Sequence, residues 1–516
     1  MYLIIGTLVI VLVALLYKWS VAKYQTFIER GVRHETPKPL MGNFGLGDFL
    51  GSVPQLQKQI DQHLQFRDCK IYGLYFLRDP VFVVRDVELI KNVGVKDFDH
   101  FMNHSGVEQM ESLLSKSLVQ LKDRKWKEMR NTLTPTFTGS KMRAMYELIN
   151  VCSELGVQYI AGEIKAKGDA GIDLEMKDYF TRFTNDVIAS AAFGIKVDSF
   201  KEKDNQFFKI GQSVTTLTSS AIIKGLLFTI MPKLMKALRI NLFDEKSIDY
   251  FKRLVFDAMV YRKEHNIIRP DMIHLLMEAQ RQGEDEAETG KKFSDDDLLA
   301  QCLLFFFAGF ETVSTCLCFL TYELCKNPEV QSQLYDEILS VEQQLQGKPL
   351  DYDTLMHMKY LDMVVSESLR KWPPAPRTDR QCNADIDLKD ENNQFVVSLK
   401  KGDVLFIPII ALHYDPENFA DPKAFRPERF SDENKHEIKP FTYLPFGVGP
   451  RNCIGNRMAL MEVKSIVYHL MLNFQLVPAE KTSKDMLNSI QGFTMVPKEK
   501  FWVKFVARKF NESSAQ

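Results

Sequence analysis

The sequence predicts a mainly helical chain with a few small β-sheets, an α+β arrangement, and three observations predict it. An apolar stretch opened by Ser294 and an acidic first turn can run as one helix to about Cys325. Helical periodicity dominates from about residue 173 to 280 and returns from 458 to 474. Strand signals are short and gather around tight turns. Residues 71–77 and 81–85 flank Arg78-Asp79-Pro80, residues 395–399 and 403–410 read as a hairpin around Lys401-Gly402, and residues 501–507 alternate.

The chain has 516 residues, which by length alone suggests two or three domains. Its 66 basic residues nearly balance 67 acidic ones, so no polyanion partner is indicated, and no nucleic-acid motif occurs. The eight cysteines, at 69, 152, 302, 316, 318, 325, 382 and 453, lack the spacing of a secreted disulfide framework. Cys316 and Cys318 look like a metal pair until placed on a helix, where residues two apart diverge by about 200°.

Taken in order, residues 2–17 form an uncharged apolar run followed by Lys18, Trp19 and Lys23. As a helix this run spans ~24 Å, slightly under the ~30 Å hydrocarbon core, and Trp19 and the lysines extend it at the interface. There is no basic n-region and no clear A-x-A site, which favours a signal anchor over a cleaved peptide. Positive charge after the span keeps that side cytoplasmic. Thr36-Pro37-Lys38-Pro39-Leu40-Met41-Gly42-Asn43 is a stiff Pro/Gly hinge, and Asp86 caps a short helix.

Residues 98–122 show no clean periodicity. Asn103-His104-Ser105 and Asn511-Glu512-Ser513 are glycosylation sequons that the cytoplasmic topology leaves unmodified. Trp126 and Arg130, four apart, share a helical face, where an indole N–H beside a guanidinium suits a carboxylate. Lys122, Arg124, Lys125 and Lys127 surround them as a basic surface fit for an acidic partner. Residues 222–235 are unusually apolar and broken by Pro232, as a buried helix would be.

The helix opened by Ser294 would cover roughly 31 residues or ~47 Å. Its unbroken apolar run, from 302 to 310, is too short for a membrane span and is bounded by Gln301 and Glu311, so a helix through the protein's centre is expected. Gly309 lets a ligand approach the backbone. The Thr312 hydroxyl can donate back to the Ala308 carbonyl, loosening the helix, and Glu311 with Thr312 makes a proton relay at the edge of an apolar face. Further on, Glu367 and Arg370 form an i,i+3 pair, and Trp372-Pro373-Pro374-Ala375-Pro376 ends the helix carrying them.

Last comes Phe446-Gly447-Val448-Gly449-Pro450-Arg451-Asn452-Cys453-Ile454-Gly455. One cysteine stands in a glycine-punctuated turn ahead of an amphipathic helix starting near Asn456. Gly447, Gly449 and Gly455 permit conformations that side chains block. Freed amides and the helix N-terminus would depress the Cys453 pKa and offer a thiolate to a metal.

This stretch matches F-x-x-G-x-R-x-C-x-G at every fixed position and resembles the haem-binding loop of the cytochrome P450 family. The resemblance runs from anchor to final strand. It implies one catalytic domain over residues 46–510, after an anchor at 1–20 and a basic Pro/Gly linker at 21–45, with a tail at 511–516. The implied fold is a triangular helical prism, with haem b held between the central helix and the helix after the cysteine loop. By resemblance, Cys453 is the axial thiolate, while Phe446, Arg451 and Gly455 of the loop, with Ala308 and Gly309, pack against the haem. Trp126, Arg130 and Arg380 would reach its propionates.

Glu311 and Thr312 correspond to the family's oxygen-activating acid–alcohol pair, although Val313 stands where Thr or Ser is usual. Glu367, Arg370 and Arg429 correspond to a buried network near the haem loop. Residues 98–122 correspond to a roof over the substrate, touched also by Phe305, Ala308, Ala375, Thr378 and Thr494. Residues 222–235 correspond to a loop that dips into lipid.

The implied activity is monooxygenation of a lipophilic small molecule. Electrons would come from NADPH through a reductase docked on the basic face, with cytochrome b5 as a second donor. Location is the endoplasmic reticulum membrane, catalytic body in the cytosol. The overall flavour is similar to insect microsomal detoxification members, so xenobiotics or insecticides are expected, with an endogenous steroid, fatty acid or pheromone as the alternative. A haem-thiolate isomerase or a haem sensor would keep Cys453 but need no relay; Glu311 and Thr312 speak for the monooxygenase.

Overall fold

A computed structural model describes residues 1–49, 51–105, 113–168, 171–215, 219–238, 240, 244–285, 293–492 and 495–508. The apolar N-terminus forms a 20-residue helix, Tyr2–Val21, about 30 Å long and almost wholly exposed. Its end is tied to the body: Arg78 lies 4.4 Å over the Trp19 ring, and Lys23 donates to Asp79 at 2.5 Å. The following hinge is stitched to the first strand. Asn43 N–H donates to Tyr75 O at 2.9 Å and Tyr75 N–H returns to Asn43 Oδ1 at 2.6 Å. A side chain at Gly42 would sit 2.3 Å from Tyr75 O, so only glycine closes this turn.

Strands β1 (Ile71–Phe76) and β2 (Asp79–Val84) pair antiparallel. The turn is Leu77-Arg78, with Leu77 at φ 57°, and Asp79 and Pro80 already belong to β2. The expected turn at Arg78-Asp79-Pro80 is therefore displaced toward the N-terminus. Asp86 does cap the next helix, accepting from Leu89 N–H at 2.9 Å.

The hairpin expected around Lys401-Gly402 does not form. After β3 (Gly171–Glu175), β4 (Thr378–Gln381), β5 (Ile386–Lys389) and β6 (Phe395–Leu399), strand β7 (Val404–Ile407) leaves β6 and enters the first sheet, order β1-β2-β7-β4. β7 carries Leu405 and Ile407, fully buried, and a strand so placed needs a partner on both edges. β6 pairs with β5 instead, across a turn where Asp390 accepts from Asn392 and Gln394 N–H. A third sheet, β3-β9-β8, joins Gly171–Glu175 to the C-terminal β9 (Trp502–Ala507) and β8 (Phe474–Pro478).

Around these sheets the helices share one large core. The central helix, Asp295–Lys326, opens with the expected capping box: Asp297 N–H donates to Ser294 Oγ at 3.2 Å, and Ser294 N–H to Asp297 at 3.0 Å. It packs along Met176–Ile188 and is mostly buried, 61% in its most apolar window against 6% for the N-terminal helix. Hydropathy alone does not separate these two helices; packing does.

The apolar stretch 222–235 is neither a plain buried helix nor a loop. It forms Ser219–Ile230 and Pro232–Ala237, which bury Phe228 and Met235 but expose Ile223, Leu227, Met231 and Leu234. Asn103 of the first sequon is 5% exposed, and its amide donates to Asp123 and Asn383. A glycan on that amide would break both bonds, so the folded arrangement requires Asn103 unmodified. The second sequon lies outside the described residues.

Candidate active site

The cysteine loop takes its shape from two glycines and one arginine. Gly447 and Gly449 have φ of 77° and 69°, the left-handed region that side chains resist. A Cβ at Gly449 would lie 1.8 Å from Gly94 O. Gly455 has an ordinary φ of −92° and opens the following helix, Asn456–Asn473, so the conformational freedom expected of it is not used. Arg451 closes the loop from behind, donating to the carbonyls of Met102 (2.7 Å), Leu118 (3.0 Å) and Leu121 (2.6 Å) and lying 4.2 Å over the Trp126 ring. Arg130 donates to Asn452 O at 2.8 Å and Oδ1 at 2.9 Å, and Cys453 N–H to Phe446 O at 2.8 Å.

The Cys453 side chain forms part of the floor of a cavity of about 1100 Å³, counting its mouth. It is open to the cavity and enclosed by protein elsewhere. Burial pushes the thiol pKa up, and the Gly455 N–H and Arg130 only partly oppose this. The depressed pKa expected from the loop alone is thus not found: desolvation outweighs the amide and the guanidinium. The wall opposite is the central helix, through Phe305, Ala308, Gly309 and Thr312. Thr312 donates to Ala308 O at 2.5 Å, as its spacing predicts. Gly309 also admits the neighbouring helix, since a Cβ there would meet Ile188 at 3.2 Å.

One end of the site is cationic. Arg380 is fully buried, donates to Asp379 O (2.7 Å) and Val448 O (3.1 Å), and leaves Nε unpaired. Burial holds its pKa down to about 10. Burial, then the charges of Arg380 and Arg130, hold Arg451 down to about 9. Three guanidiniums converge while donating only to neutral oxygens among the described residues. A group with two carboxylates fits there, and a flat apolar macrocycle fits between Cys453 and the glycine of the central helix.

The family profile of cytochrome P450 matches residues 33–504. Among curated proteins, probable cytochrome P450 9h1 of Drosophila melanogaster is 59% identical over 511 residues, 97% of this chain and 98% of the relative. Cytochrome P450 9c1 of the same fly is 55% identical over 508 residues, 96% and 97% of the two chains. Cytochrome P450 3A41 of Mus musculus is 34% identical over 512 residues, 97% and 96%. The chain belongs to the cytochrome P450 family. Membership makes it an oxidoreductase, a monooxygenase, and implies haem with a cysteine thiolate, which the cavity fits.

Not every residue read from this P450 sequence reaches the cavity. Trp126, Arg130, Phe305, Ala308, Gly309, Thr312, Arg451, Cys453 and Gly455 line it. Phe446 contributes its carbonyl to Cys453 and packs its ring against the core. Arg380, Ala375 and Thr378 are absent from the lining: Arg380 is fully buried, and Thr378 pairs in β4 with its hydroxyl 3.4 Å from it. Thr494 lies outside the described residues. Glu311 points away from Thr312. Lys177, on the helix Met176–Ile188, donates to it at 2.8 Å and to Ser314 and Thr315 at 2.9 and 3.0 Å. The relay expected from adjacency is not assembled, because residues one apart on a helix face different directions and a cation captures the acid.

Glu367, Arg370 and Arg429 do meet, fully or almost fully buried. Arg370 donates to Glu367 at 2.7 and 2.9 Å, and Arg429 does so at 3.4 Å. Nothing in the sequence marks His413. Leu444 N–H donates to its Nε2 at 2.9 Å, so Nδ1 carries the proton and donates to Arg370 O at 2.7 Å. This neutral ring joins the network to the approach of the cysteine loop. Ile188, Ala192, Met272, Phe137 and Glu462 also line the cavity, and nothing in their spacing distinguishes them from core.

Proposed function

We propose that the Cys453 thiolate would hold the iron of a haem b, and that Trp126, Arg130, Arg380 and Arg451 would bind its propionates. We further propose that the substrate is a lipophilic small molecule of xenobiotic type, such as an insecticide or plant toxin. Bound haem supplies the activation of dioxygen, one atom entering the substrate and the other leaving as water. The chain's own residues do the rest. Phe137, Ile188, Leu304 and Phe305 give the cavity an apolar lining that excludes water and orients an apolar substrate. Thr312 holds a hydroxyl at the cavity wall, and Glu311 delivers protons once released by Lys177.

Electrons would come from NADPH through a reductase, with cytochrome b5 as a second donor. Arg124, Lys125 and Lys127 stand exposed on the helix Asp123–Leu133, whose Trp126 faces the cavity, and support docking of an acidic surface there. The exposed Tyr2–Val21 helix supports an endoplasmic reticulum anchor, with residues 46–510 acting as one cytosolic catalytic body. The observation that carries this reading is Cys453 facing Thr312 across one apolar cavity. Its test is turnover with reductase, NADPH and isotopically labelled dioxygen. Incorporation of one labelled atom is expected; rearrangement of a peroxide substrate with no NADPH consumed and no label taken up would point to an isomerase instead.

A further inference from the structure

At the cationic end of the cavity, the chain on either side of His104 is pinned at successive residues. Gln381 N–H donates to Asn103 O at 2.7 Å, an antiparallel bridge that carries this segment alongside β4. Met102 O accepts from Arg451 at 2.7 Å before it, and Ser105 N–H donates to Asp379 at 2.5 Å after it. Between these anchors His104 lines the cavity, together with Arg130 and Arg451. Its side chain is 20% exposed, enough for its protons to exchange with solvent.

Asp379 decides how this ring is protonated. His104 Nδ1 lies 3.1 Å from Asp379 Oδ1. Burial works against the charge of Asp379, yet the bonds from His104 and Ser105 hold its pKa well below the ordinary carboxylate range. A carboxylate only accepts, so Nδ1 carries the proton. Nε2 is then a bare acceptor in the neutral ring and an N–H donor in the imidazolium, and it makes no hydrogen bond among the described residues.

The charged groups on the elements packed around this ring, among the described residues, come from three sides. Arg377, Asp379 and Arg380 belong to β4 and the turn before it, Arg451 to the cysteine loop, and Lys122, Asp123 and Arg130 to the helix Asp123–Leu133 and its N-terminal flank. Five cations stand against two carboxylates, and that surplus opposes a further positive charge on the ring. An anion bound there reverses the balance.

We propose that His104 is a further residue of this site, its imidazolium donating from Nε2 to a carboxylate of the bound haem while Asp379 holds the ring from behind. This rests on the reading in which Cys453 holds that haem. The consequence reaches the iron. An electron added there lowers the charge of the site by one and favours the imidazolium, so reduction draws up to one proton from solvent onto Nε2. No other bond forms or breaks. A histidine that merely ties the roof to β4 needs no such coupling.

The test is a spectroelectrochemical titration of the full-length, haem-loaded chain from about pH 5 to about pH 8, the range in which histidine changes charge. In wild type the midpoint potential should fall as pH rises, by no more than about 59 mV per unit, the one-electron equivalent of a tenfold change. His104→Phe should flatten the slope. His104→Arg carries a fixed charge and serves if His104→Phe loses haem; its potential should stay near the low-pH value of wild type throughout. Asp379→Asn removes the charge that favours the imidazolium and should move the sloping window to lower pH. The proposal is overturned by a wild-type potential that does not change with pH, by a slope that survives in both His104 variants, or by a window that stays in place in Asp379→Asn. The ferrous carbonyl band of the same samples reports on Cys453 separately. Its absence contradicts that reading and this one with it, whereas its presence with a flat wild-type potential contradicts the His104 assignment alone.

Discussion

At the scale of single residues, two side chains outside the cavity bear on what happens inside it. Lys177 holds Glu311 at 2.8 Å on the side of the central helix away from Thr312. If Glu311 carries protons it must leave Lys177 in each cycle. Glu311→Gln should therefore slow turnover several-fold, whereas Lys177→Met should lower the solvent isotope effect on turnover without changing spectral substrate binding. An unchanged isotope effect in Lys177→Met would remove Glu311 from the relay. His413 sets a pH limit on the fold. Burial, then the Arg370 charge, push its pKa from 6.5 down to about 3, so the folded ring stays neutral where the unfolded one is charged. Its stabilisation is complete above about pH 6.5 and is lost as pH falls toward 3, by at most about 1.4 kcal/mol per unit. Thermal melts across that window should show the decline, and His413→Gln should flatten it. The Thr312–Ala308 bond was legible from four-residue spacing, whereas Lys177 and His413 were not: each acts on residues distant in sequence, Lys177 on Glu311 and His413 on Arg370 and Leu444.

At the scale of elements, the cysteine loop divides its glycines into required and tolerant ones. Gly449→Ala drives a Cβ into Gly94 O, against backbone that cannot yield cheaply, in addition to ~1–2 kcal/mol of left-handed strain. Gly447→Ala carries the strain alone, since the nearest atom stands 3.8 Å away. Haem retention on heating should fall much further for Gly449→Ala than for Gly447→Ala. The buried Glu367–Arg370–Arg429 network joins the helix Lys359–Lys371 to the segment Pro427–Phe430. Removing one partner strands a charge and costs about 3–5 kcal/mol, so Glu367→Ala or Arg370→Ala should yield protein without haem. A folded, fully loaded variant would contradict this. Helices and single strands were readable because period and caps are local; strand partners were not. Lys401-Gly402 has the chemistry of a hairpin turn, yet β7 pairs with β2 and β4, a choice made by burial on both edges. Likewise β3, Gly171–Glu175, sits at the start of a stretch read as helical, and its partner β9 lies at the other end of the chain.

At the scale of the whole molecule, motifs far apart in sequence converge on one cavity: the helix Asp123–Leu133, the central helix and the cysteine loop. Their order was enough to suggest the architecture, because each motif has a spacing that only its local element explains. The remainder of the lining, from Phe137 to Met272, was hidden, since a residue facing a cavity reads in sequence like one facing the core. Length suggested several domains; the helices share one core cluster from Leu56 to Phe505, and the sheet β1-β2-β7-β4 has another, from Phe27 to Val448. All of the chemistry proposed here requires Cys453 to ligate haem iron as a thiolate. The ferrous carbonyl spectrum of the full chain tests this most directly. Wild type should give the red-shifted Soret band of sulfur-anion ligation, and Cys453→His should keep haem but lose the shift. A folded, haem-loaded wild type without that band, or a shift that survives in Cys453→His, would contradict the assignment.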